Sequence, residues 1–72
     1  MQKSNAEYLN IFKGRVNDSI EKGSFDLDLE IEHTENKYKS AAVLHMFELV
    51  DLYESYLSFL RVKKLCLTIS NN

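Results

Sequence analysis

Apolar residues fall into three successive patterns along this chain of 72 residues. In the first, Leu9, Phe12, Val16 and Ile20 recur at spacings of three and four and form one helical stripe, with Tyr8 and Ile11 on its flank. Ser4-Asn5-Ala6-Glu7 ahead of them matches a capping box, in which a hydroxyl accepts an orphan amide and a carboxylate reaches back. Lys22 then Gly23 is a stop, a cation in the last turn followed by a left-handed cap. A first helix from about Ser4 to Lys22 is expected. Gly14 inside it costs about 1 kcal/mol relative to Ala. It reads as a tolerated weak spot, with a close helix contact as the alternative.

The second pattern is the stretch SFDLDLEIEH, residues 24–33. Phe25, Leu27, Leu29 and Ile31 alternate with Asp26, Asp28, Glu30 and Glu32. Period-two alternation predicts a strand over about residues 24–32, acidic on one side.

The third runs from Glu35 to about Leu65 without Gly or Pro. Thr34 suits its N-cap, and a helix of that length would be about 45 Å long. It carries two apolar seams. One is Val43, Met46, Val50, Tyr53, Leu57 and Leu60, widened by Leu44 and Phe47; the other is Ala42, Leu49, Leu52, Tyr56 and Phe59. Glu48, Asp51, Glu54, Ser55 and Ser58 occupy a narrower polar stripe. A helix packed on one neighbour needs one stripe, not two.

The expected fold is therefore mainly α with one short strand, in helix–strand–helix order. The first helix and the strand cover one seam and a second copy covers the other, giving an intertwined homodimer. Its interface would draw on Leu27, Leu29, Val43, Met46, Val50, Tyr53, Leu57 and Leu60. The two strands could pair antiparallel, pair in a shifted register, or lie unpaired across the second helix. The competing arrangement places both seams in one monomer core, but the first helix is too short to cover the whole of the second.

Size favours self-association. A domain of this length buries only about 60% of its unfolded surface. Cys66 is the single cysteine, so no internal disulfide can form. That suits a reducing cytoplasm. The N-terminus is polar and helix-like rather than a signal peptide. No apolar run approaches the ~20 residues that span a bilayer, so no membrane partner is expected.

Net charge is −2, unevenly spread. Residues 23–36 carry five carboxylates and no Lys or Arg, whereas residues 61–72 carry Arg61, Lys63 and Lys64 without an acid. The acidic row would repel phosphates, so no nucleic-acid partner is expected. Mimicry of DNA phosphates is weak at this net charge. Candidate chemistry is sparse. His33, His45 and Cys66 share no metal-site spacing, no loop shapes the carboxylates around a cation, and no Gly-rich phosphate loop exists. No metal, cofactor or catalytic residue is assigned, and the chain is read as a non-enzyme.

The tail has its own character. Arg61, Val62, Lys63, Lys64, Leu65 and Leu67, with Ile69, form a basic-aliphatic segment. Cations at a helix C-terminus are favourable in themselves. The aliphatics suggest a docking peptide, in which apolar side chains anchor and cations steer. This divides the chain into a dimerising α-β-α domain, residues 1–60, and a partly disordered contact segment, residues 61–72.

In helix–strand–helix order, length and tail, the chain resembles the CpmB-type capsid morphogenesis proteins of staphylococcal pathogenicity islands. The motif carrying the likeness is Arg61-Val62-Lys63-Lys64. Arg61, Val62 and Lys64 fit the family's Arg-aliphatic-aliphatic-Lys contact motif, and Lys63 stands where an aliphatic is usual. The resemblance implies a dimeric internal scaffold that redirects a helper phage's major capsid protein into smaller shells. Its implied partners are that capsid protein and the helper scaffolding protein. Its implied location is the bacterial host cytoplasm, transiently inside procapsids. Two other readings stand beside it: a small phage-type inhibitor or regulator that binds a protein through the acidic strand or the second helix, and a DNA-binding repressor.

Overall fold

The computed structural model describes residues 4–70 and contains three helices, α1 Asn5–Glu21, α2 Leu27–Val43 and α3 Phe47–Ser70. Helix α1 is the element read from the first pattern. Ser4 is its N-cap, and the Ser4 Oγ accepts from the Glu7 amide at 3.2 Å. Gly23 ends it at φ 74°, its amide donating to Ile20 O and the Ser24 amide to Ser19 O. These two bonds are the Schellman arrangement, which needs a left-handed residue after the cap. Val16 is buried, and Leu9, Phe12 and Ile20 pack partly buried beside it.

The expected strand is not formed, and there is no strand among the described residues. Asp26 instead caps α2, its carboxylate accepting from the Leu29 amide at 3.0 Å. Asp28 and Glu30 then lie in the first turn, where the positive end of the helix dipole favours them. The burial pattern of α2 is helical: Leu27, Ile31 and Tyr38 are half-buried, and Thr34 and Ala41 are buried. These five recur at spacings of four and three. Of the four alternating apolar residues, Phe25 lies ahead of the helix and Leu29 is exposed. Thr34 is not a cap. It sits mid-helix with its hydroxyl donating to Glu30 O at 2.8 Å.

The long second helix expected from Glu35 to Leu65 is broken. Helix α2 ends at Val43, and His45 adopts φ 56°. The His45 amide donates to Ala42 O and the Met46 amide to Ala41 O, a second Schellman cap with histidine in place of glycine. Histidine is one of the few non-glycine residues enriched at positive φ.

The chain runs up, down and up. Asn5 Nδ2 donates to Glu48 O at 3.0 Å, tying the starts of α1 and α3, so these two helices run parallel and α2 runs antiparallel between their ends. Both α1 and α2 pack on α3, while their own backbones stay apart. They meet through side chains: Phe25, Leu27 and Ile31 pack with Leu9, Phe12, Ile20 and Phe59 on a centre of Val16, Tyr56 and Leu60. The second apolar seam of α3 is thereby covered within one chain. The segment read as a strand supplies the missing helix.

Candidate functional site

Helix α3 is the longest element, 24 residues or about 36 Å. Its buried residues are Leu52, Tyr56, Leu57 and Leu60, and Leu60 is 0% exposed. Beyond Leu60 the helix continues to Ser70, but only Lys63 is half-buried among residues 61–69. The backbone therefore passes unchanged through residue 60; what changes there is burial.

The outward face also changes character. Successive residues turn about 100°. Asp51, Ser55 and Ser58 lie within about 40° of the direction opposite Leu60, and all are exposed. In the last turns the same sector is held by Val62, Leu65 and Ile69, which are 59%, 60% and 64% exposed. Cys66, also exposed, lies beside them. The face pointing away from the bundle thus carries exposed Phe47 at the start of α3, is polar from Asp51 to Ser58, and is apolar again from Val62 to Ile69.

The cations of the tail turn the other way. Lys64 Nζ lies 2.6 Å from Asp28 Oδ1, although both side chains are mostly solvated. Lys63 lines a shallow depression with Asp18 and Glu21 of α1. Arg61 borders another with Glu35 and Glu54. The basic tail and the acidic stretch, far apart in sequence, are brought to one end of the molecule. Sequence reasoning gave the cations a steering role toward a partner; in the fold Lys64 pairs with Asp28, whereas Arg61 and Lys63 make no ion pair among the described residues. Leu67 lines a depression with residues 23–28 and so leaves the outward row. Ile69 takes its place there, a position that the i, i+3, i+7 spacing from Val62 marks in the sequence.

The residues read as a dimer interface divide. Leu57 and Leu60 are buried inside the single chain, and Leu27, Val50 and Tyr53 are half-buried. Leu29, Val43 and Met46 remain exposed. Val43, 76% exposed, gathers with Leu44, Met46 and Phe47 at the α2–α3 turn, an apolar corner at the end opposite the tail.

One polar contact is internal. The Tyr56 hydroxyl donates to Glu30 Oε2 at 2.7 Å. Burial first, and then the neighbouring carboxylate, hold this phenol well above its ordinary range. Among the described residues no three His, Cys, Asp or Glu side chains gather as a metal site, and no helix is long and apolar enough to cross a membrane. Comparison of the chain with protein-family models, with curated proteins and with solved structures finds no match.

Proposed function

We propose that this chain is a non-catalytic assembly protein that binds another protein through the outward face of the last turns of α3. The observation that carries the reading is the switch from Asp51, Ser55 and Ser58 to Val62, Leu65 and Ile69 along one helix face. Anchors at i, i+3 and i+7 are what an amphipathic helix presents to an apolar groove. The side chains already stand on a rigid helix, so little ordering opposes binding.

Following the resemblance, the partner is a phage major capsid protein and the outcome is assembly of smaller shells. The docking row is then Val62, Leu65 and Ile69, while Lys64 pairs with Asp28 at the start of α2. The reading includes a homodimer joined at the corner of Val43, Leu44, Met46 and Phe47, so that each dimer carries two docking rows. Two rows give avidity only where capsid subunits are suitably spaced. This would favour one shell curvature over another.

The test is co-expression with the capsid and scaffolding proteins of a helper phage, with shell diameters read by electron microscopy. Smaller shells are expected from the native chain and full-sized shells from Val62→Asp with Leu65→Asp. Full-sized shells from the native chain would remove the capsid protein as partner. Small shells from both chains would remove the α3 row as the contact. Sedimentation of the native chain against Val43→Asp tests the dimer: a native chain that stays monomeric at tens of micromolar overturns it.

A further inference from the structure

Because α1 and α2 lie on α3 without touching backbones, a cleft of about 280 Å³ opens between them. Its floor is α3, through Tyr53 and Tyr56. That volume equals about nine waters and sits near the lower end of ligand pockets. Its exposed lining is more polar than apolar: charged and hydroxyl groups converge beside four aromatic side chains.

The charges in this cleft are unbalanced. Arg15 enters from α1 and Lys37 from α2, and neither makes an ion pair among the described residues. The one carboxylate is Glu30, and its Oε2 is already occupied by the Tyr56 hydroxyl. Phe12 and Phe25 supply flat apolar walls, while Ser19 and Thr34 add hydroxyls.

We infer that the cleft between α1 and α2 binds a small organic anion, one acidic head on a flat apolar body. The head lies between Arg15 and Lys37, where a guanidinium offers two parallel donors and an ammonium a point charge. The body stacks against Phe12 and Phe25. A ligand held by Arg15 and Lys37 joins two helices whose side chains meet in an apolar cluster. This site is independent of the α3 docking face and of any capsid partner.

The probes are benzoate, phenyl phosphate and the neutral isostere benzamide, titrated into the isotopically labelled full chain and followed by amide chemical shifts. Saturable shifts at Arg15, Ser19, Thr34, Lys37 and Tyr53 are expected with one or both anions. Benzamide should bind at least tenfold more weakly. Arg15→Gln and Lys37→Gln, both at exposed positions, should each weaken the anion at least tenfold. Melting temperature should rise with the anion in the native chain, since a ligand that binds only the folded form stabilises it. Absence of saturable shifts at millimolar anion overturns the inference. So does equal binding of benzamide by the native chain, which does not depend on either variant folding.

Discussion

Two residues do the same work at the two turns, and they do it with unequal ease. Gly23 and His45 both hold positive φ in Schellman caps, at 74° and 56°. A side chain there costs about 1–2 kcal/mol that glycine avoids. Gly23→Ala should therefore lower stability by about 1 kcal/mol, although no atom lies within 4 Å of the added methyl position. His45→Gly should raise stability by a smaller amount, because glycine also gains freedom in the unfolded chain. Thermal melts of the two variants would test the pair together. Tyr56 sets a pH dependence. Its phenol is raised in the fold above the unfolded value of about 10. The contribution is thus complete below about pH 10 and is lost as pH rises through the folded value. Tyr56→Phe should cost about 1 kcal/mol at neutral pH through the lost hydrogen bond. Its stability should then fall less steeply above pH 10 than that of the native chain, as urea melts across that range would reveal.

Helices of this protein are distinguished by where their apolar stripes begin and end. Leu60→Ala should cost about 2–5 kcal/mol, a large share of the ~5–15 kcal/mol that holds a small domain. Val62→Asp, two positions on, should stay within about 0.5 kcal/mol because its side chain faces water. Denaturant midpoints of the two would show whether the helix changes role at residue 60. Helix α1 was legible from sequence because its cap, stripe and stop agree. Helix α2 was not, because Leu27 and Ile31 belong to two periods at once: they alternate with Asp28 and Glu30, and they also open the series Leu27, Ile31, Thr34, Tyr38, Ala41. The deciding signal was Asp26, a good N-cap followed by two acids, which is how a helix starts. The break at His45 had no glycine or proline to announce it. A histidine cap looks locally like any polar residue within an apolar run.

At the level of the whole molecule, the chain folds its charge back on itself. The antiparallel course of α2 sets the acidic start of that helix beside the basic end of α3, so Asp28 meets Lys64. Sequence order alone shows two charged blocks; only the topology shows that they are neighbours. The proposed docking residues were legible as types, through the aliphatics after Leu60, but which of them form the outward row Val62, Leu65 and Ile69 needed the bundle. The solvated Asp28–Lys64 pair should contribute about 0–1 kcal/mol, and less at high salt.

The unequal seating of α1 and α2 on α3 also bears on how the molecule comes apart. Helices α2 and α3 form a hairpin along a broad mutual face, whereas α1 rests on α3 by one stripe and is pinned at its start by Asn5. Partial opening should therefore follow an order, with α1 released as a unit while the hairpin persists. Backbone amides of α1 around Val16 should exchange with deuterated solvent before those around Leu57 in α3. Uniform exchange of all three helices would mean a single all-or-none unit. An ordered release would make α1 a detachable latch whose departure uncovers Tyr56 and Leu60.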